Sequence, residues 1–145
     1  MLIDRQNLMS DAQAVTVTAF STDSIDLGNL SVLRNVGREG LRAIITCSET
    51  ALAAGAATVD FQIGTADDAA GTNFTPHAGV TGVGKAAITA GSVQLDVPLP
   101  DTTKRFLMAR YTVGTGPLTA GKFSAELVLN SDHQRYYADG YTQGF

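Results

Sequence analysis

Val59-Asp60-Phe61-Gln62-Ile63 decides the fold. Apolar and polar residues alternate strictly, so Val59, Phe61 and Ile63 share one face of an extended chain and Asp60 and Gln62 take the other. Val93-Gln94-Leu95-Asp96-Val97 repeats the pattern. A strand with one apolar face packs that face on a core and turns the other to solvent or a partner, the usual arrangement of an antiparallel sheet. Three longer runs are more continuously apolar: Leu41–Cys47, Arg105–Val113 and Lys122–Leu129. A shorter pair, Val15–Phe20 and Ser24–Leu27, flanks Ser21-Thr22-Asp23, whose side chains suit a tight turn.

Glycine and proline punctuate these runs. Pro98 and Pro100 end the strand at Val97, because proline cannot donate to a sheet ladder. Gly114–Gly121 joins two strong strands and reads as a long hairpin loop. Residues 64–92, rich in Gly, Ala and Thr, read as a long loop or edge region. Glu49–Ala56 carries helix-forming alanines but is too short for an independent helix, and reads as a loop or single turn. Many short strands with glycine-rich turns predict an all-β sandwich, jelly roll or barrel. With 145 residues and no visible linker or repeat, residues 1–145 are expected to form one domain.

Both ends differ from the middle. Residues 1–14 read as an N-terminal arm that places Leu2, Ile3, Leu8 and Met9 among polar groups. Residues 131–145 form a Tyr-rich C-terminal tail with Tyr136, Tyr137, Tyr141 and Phe145. Terminal segments stay loose unless something ties them down, and this aromatic content implies that the tail is tied down. It packs either on its own domain or on a partner, since Tyr and Phe are enriched in interface cores.

Composition narrows the function. Charged residues make up 17% of the chain, against ~25% for typical soluble domains. Net charge is −4, and the basic residues are scattered, with only Lys104 and Arg105 adjacent. Nucleic-acid binding by counterion release needs a basic patch, so no nucleic-acid partner is expected. No run approaches the ~18 apolar residues of a membrane-spanning helix, so no membrane partner is expected. Met1-Leu2-Ile3-Asp4 shows no basic segment leading into a long apolar run, so no signal peptide is expected.

Chemistry-bearing residues are sparse. His77 and His133 lie in loop-like regions, where a lone histidine is more often surface decoration than a general base. Cys47 lies within a strand-like run and reads as a buried structural thiol, with no adjacent cation to make a thiolate. One cysteine and two distant histidines make no zinc spacing. Asp67, Asp68 and Asn73 offer oxygen ligands but lack the EF-hand pattern, so a solvated loop is the simpler reading. Gly82-Val83-Gly84-Lys85 lacks the glycine spacing of a phosphate loop and has Ala86 where Ser or Thr belongs. The expectation is a non-enzymatic binding protein without cofactor or metal.

Several segments carry a resemblance. They are Leu99-Pro100 through Lys104-Arg105-Phe106-Leu107, Tyr111–Thr115 and Thr119–Leu129; the opening Ile3-Asp4, Ser10–Thr16 and Ser24–Gly28; and Phe61-Gln62-Ile63 followed by Thr65–Asp68. Together, in order and across most of the chain, they resemble the tailed-phage capsid cement (decoration) proteins of the Bordetella-phage type. The match is weakest at residues 69–92 and in the tail. The resemblance implies a jelly-roll-like antiparallel β-sandwich with short terminal arms. It also implies a homodimer on the exterior of an icosahedral capsid, bridging subunits of the major capsid protein, with a virion location after synthesis in the bacterial host cytoplasm. No catalytic residue carries over. The expected partner surface is the two ends, Leu2, Ile3, Leu8 and Met9 with Tyr136, Tyr137, Tyr141 and Phe145, although the homodimer interface competes for the same residues. The other readings are a tail-tube or connector protein and a carbohydrate- or receptor-binding module. The absence of Trp weakens the last.

Overall fold

The computed structural model describes residues 4–29 and 40–129. Among these described residues nine strands follow in chain order: β1 (Leu8–Ala14), β2 (Ala19–Phe20), β3 (Ile25–Asp26), β4 (Leu41–Leu52), β5 (Thr58–Ala66), β6 (Thr75–Gly84), β7 (Val93–Pro98), β8 (Phe106–Gly114) and β9 (Ala120–Leu129). One-turn 3-10 helices occupy Arg5–Asn7 and Lys85–Ala87.

The strands form two antiparallel sheets. The first has the order β1-β9-β4-β7; the second has the order β2-β8-β5-β6, with β3 also pairing with β8. β2 and β3 are thus two pieces of one edge strand. On that count each sheet has four strands, and only β5 and β6 are successive neighbours within a sheet. Every other connection crosses between sheets, which makes the fold a jelly roll. The expected all-β sandwich is therefore observed, and the strand order selects the jelly roll.

The core lies between the sheets and follows the period-two pattern. Ala43, Ile45 and Cys47 of β4 and Phe123, Ala125 and Leu127 of β9 face inward from the first sheet. Val59, Phe61 and Ile63 of β5 and Leu107, Ala109 and Tyr111 of β8 face them from the second. At the centre Phe61 meets Phe123 edge-on at 5.0 Å, and Tyr111 stacks on Phe123 at 5.5 Å. The Tyr111 hydroxyl lies 2.5 Å from the Ser10 hydroxyl of β1, and both residues are fully buried. Burial pushes the Tyr111 phenol up to about 12, so it stays protonated and can share this hydrogen bond at any physiological pH.

Four local expectations change. Leu8–Ala14, expected in an arm, is strand β1. Its alternation is hidden because register shifts on either side of Ser10, with Ala12 at φ 45°, turn both Met9 and Ser10 inward. Val15–Phe20 and Ser24–Leu27 do not pair with each other; only Ala19–Phe20 and Ile25–Asp26 are strand, and both pair with β8. Ser21 separates them, with its N–H donating to Ala109 O and its Oγ accepting the Ala109 N–H. Glu49–Leu52 prolongs β4 instead of turning, because Glu49 sits opposite Lys122 and Leu52 opposite Ala120. Gly114–Gly121 is no hairpin loop, since β8 and β9 belong to different sheets.

Two substitutions test this core. Phe123→Ala is expected to cost ~3–5 kcal/mol of unfolding free energy, because it empties the contact between the sheets. Tyr111→Phe leaves the buried Ser10 hydroxyl without its partner and is expected to cost ~1–3 kcal/mol. Chemical denaturation measures both, and a cost for Phe123→Ala no larger than for an exposed substitution would contradict the packing.

Candidate interaction surfaces

The terminal residues singled out from sequence divide sharply. Leu2, Ile3, Tyr136, Tyr137, Tyr141 and Phe145 lie outside the described residues. Leu8 opens β1 and is half-buried, opposite Glu126 of β9. Met9 is fully buried in the core, so its side chain does not offer itself to a partner. Met9 looks available in sequence only because the bulge that turns it inward carries no sequence signature.

The chemistry-bearing residues hold structure. The Cys47 thiol is buried, donates to Glu49 O at 3.0 Å, and is pushed up by that burial. His77 Nε2 lies 2.8 Å from Thr65 Oγ1, and its pKa is lowered by burial and by the charge of Lys104. His133 lies outside the described residues. In the β5–β6 connection, Asp68 accepts the Ala70 and Thr72 N–H groups and the Thr72 hydroxyl. Those bonds hold its carboxyl below the usual range. Asp67 accepts from the Asn73 amide. These oxygens organise the turn, and among the described residues no group of three or more His, Cys, Asp or Glu side chains is gathered to hold a metal. Lys85, at the end of the rejected phosphate-loop stretch, donates to Ala53 O at 2.6 Å.

Most of the described cations are likewise engaged. Arg42 pairs with Asp96 at 2.8 Å, Arg105 with Asp26 at 2.7 Å and Lys122 with Glu49 at 2.8 Å. Arg5 and Lys104 face Asp11 and Asp67 at 3.6 and 3.7 Å. Such partly exposed pairs contribute ~0–1 kcal/mol each. They set strand register more than stability: Lys122 and Glu49 lie directly opposite across β9 and β4.

Two sheet faces and one end remain. On the outer face of the first sheet, register aligns Leu8, Glu126, Ile44 and Asp96 in one row across β1, β9, β4 and β7. Ile44, Glu126 and Val128 are out of phase with the core yet only 5%, 4% and 4% exposed. No described residue hydrogen-bonds or ion-pairs with the Glu126 carboxyl. The nearby cations of that face, Arg42 and Lys122, are taken by Asp96 and Glu49. Burial alone pushes the Glu126 carboxyl above the ordinary carboxylate range.

The outer face of the second sheet is built differently. Phe20, Arg110, Gln62 and Gly79 stand abreast on β2, β8, β5 and β6. Phe74, from the β5–β6 connection, meets Phe20 edge-on at 5.3 Å. The Arg110 guanidinium lies over both rings, 5.6 Å from Phe20 and 5.9 Å from Phe74. Glycines make the room: a Cβ on Gly64 would sit 2.7 Å from the Phe74 ring, and one on Gly71 would sit 2.6 Å from Phe20. Nothing in the sequence marks this cluster, because its members come from four separate stretches. At one end of the sandwich, Val17, Thr18, Val113, Gly116 and Pro117 line an open cleft of about 480 Å³, with Val17 60% exposed.

Fold and surfaces together define the class: a jelly-roll β-sandwich with apolar and aromatic groups on its outer faces, most of its described charges committed to internal pairs. The Bbp16 family model matches residues 9–127, from β1 into β9. The chain belongs to the Bbp16 family, a family of Bordetella phage proteins, which is consistent with a phage virion protein. No curated protein matches it. Among the described residues no helix is long and apolar enough to cross a membrane.

The Glu126 environment gives a pH prediction. A carboxyl whose pKa is raised by folding favours the folded state when protonated. That contribution is complete below the ordinary carboxylate pKa and disappears as pH rises through the raised value. Glu126→Gln, neutral throughout, is expected to melt above the wild type at pH 7, with the gap closing at pH 4. A gap that stays constant between the two pH values would show that the carboxyl is not buried in its charged form.

Proposed function

We propose that this chain is a capsid cement protein. It binds the exterior of an icosahedral phage capsid as a homodimer and bridges subunits of the major capsid protein, without catalysing a reaction. The observation that carries the reading is membership of a Bordetella phage family over a span that covers nearly the whole jelly roll. A net charge of −4 argues against a role along packaged DNA. The described His and Cys side chains, bonded to Thr65 and to a backbone carbonyl, sit without the nucleophile–base geometry that acyl or phosphoryl chemistry would use.

The mechanism is linkage. A ligand that binds the assembled shell and not its separated subunits stabilises the shell by RT ln(1 + [L]/Kd), ~2.7 kcal/mol per site at a hundredfold excess over Kd. A dimer engaging two subunits makes the second contact intramolecular, so modest single contacts add to tight attachment. Repeated over a lattice, such bridges resist the outward pressure of packaged DNA.

The test uses shells that lack the protein. Adding the purified chain is expected to give saturable co-sedimentation with assembled capsids, no binding to dissociated subunits, and a rise in the temperature at which shells open. Failure to bind assembled shells would sink the reading, and a hexameric ring on sizing would favour a tail-tube protein instead.

A further inference from the structure

We infer that Arg110, held on the outer face of the second sheet by Phe20 and Phe74, is a docking point for a carboxylate side chain of a protein partner. The inference rests on the cement reading in one respect only, naming the capsid shell as the source of that carboxylate.

Arg110 is the exception among the described cations. Each of the others faces a carboxylate or, for Lys85, a backbone carbonyl. Arg110 has two aromatic rings and no described acceptor. Asp60 shares its face of β5, but its carboxylate accepts the Gly82 N–H at 2.6 Å. A guanidinium carries five donors in a fixed plane. Held at 5.6 and 5.9 Å from two ring centroids, it has already given up part of its side-chain freedom while its N–H groups meet no described acceptor, so less entropy remains to be lost when it pairs. An exposed arginine left to itself samples many rotamers; this one is pre-oriented.

The surroundings are built to hold it. The ring pair sits where Gly64 and Gly71 supply no Cβ: one on Gly71 would strike the Phe20 ring, and one on Gly64 would strike the Thr75 carbonyl as well as the Phe74 ring. Gln62 stands directly beside Arg110 and adds a half-buried amide to the same row. An aromatic–arginine cluster of this kind, half-buried and flanked by polar groups, has the composition of an interface hot spot. The charge favours a carboxylate, which the guanidinium fork matches with two parallel hydrogen bonds. A nucleic-acid backbone is disfavoured, because a phosphate track needs several cations and this face presents a single free one among the described residues.

The experiment compares wild type, Arg110→Ala, Arg110→Lys and, as control, Arg5→Ala for co-sedimentation with purified capsids, with a melting curve for each protein. Arg110→Ala is expected to weaken binding at least ~30-fold, the loss typical of truncating one member of a desolvated charge pair. Arg110→Lys restores only part of it, since an ammonium cannot stack or pair in a plane. Arg5→Ala binds as wild type. If wild type saturates the shells and both Arg110 variants bind equally well, this inference fails and the cement reading stands. If wild type ignores the shells, both fail. Binding to phage DNA that Arg110→Ala abolishes, with shell binding intact, would also overturn it.

Discussion

Phe123 of β9 touches both Phe61 and Tyr111, which stand side by side on β5 and β8, and this contact carries the sandwich. The two sheets share no ladder, so their relative position depends on side chains that cross the gap. Three aromatic rings fill the middle of it, and the Tyr111–Ser10 hydrogen bond ties β8 of one sheet to β1 of the other. The bond also explains why β1 belongs to the core layer at all. Its short sequence has little apolar content beyond Met9, yet a bulge turns both Met9 and Ser10 inward, one to fill space and the other to satisfy the buried phenol.

The central strands β5, β8 and β9 were legible, β5 in strict alternation and the other two as longer apolar runs, and so was β7, an edge strand that keeps its alternation. The other edge elements were not, since they answer to different demands. β1 is bulged, β2 and β3 are two-residue fragments stitched to β8, and β6 is rich in glycine. In each, backbone pairing with a central neighbour decides the conformation, and pairing leaves no periodic trace in sequence. The misread hairpin at Gly114–Gly121 has the same origin. Two adjacent strands look identical in sequence whether they pair or face each other across a core, and a jelly roll almost always chooses the second.

The surfaces were less legible still. Met9 had the composition of an anchor and proved to be core. Arg110 was one scattered cation among ten, and became distinctive only once the other described cations had found acceptors and it had not. A charge is informative by exclusion, and exclusion requires coordinates. The same holds for Glu126, an unremarkable acid within an apolar run until its side chain falls on a face whose described cations, Arg42 and Lys122, are already paired.

The two outer faces imply different duties. The first sheet's face holds Ile44, Glu126 and Val128 almost wholly out of water, so those three gain little from a further partner. The second sheet's face keeps Phe20, Phe74, Arg110 and Gln62 only half-buried. Electrostatic gain on association needs a charge that is still unpaired, and that charge sits on the second sheet's face, whereas the most exposed large apolar side chains of the first sheet, Leu52, Val93 and Leu129, lie at strand ends. A protein that must grip a shell through many identical, individually modest contacts needs a rigid face with little entropy left to lose. Two rings seated on glycines, with a guanidinium laid across them, meet that requirement with residues the core does not need.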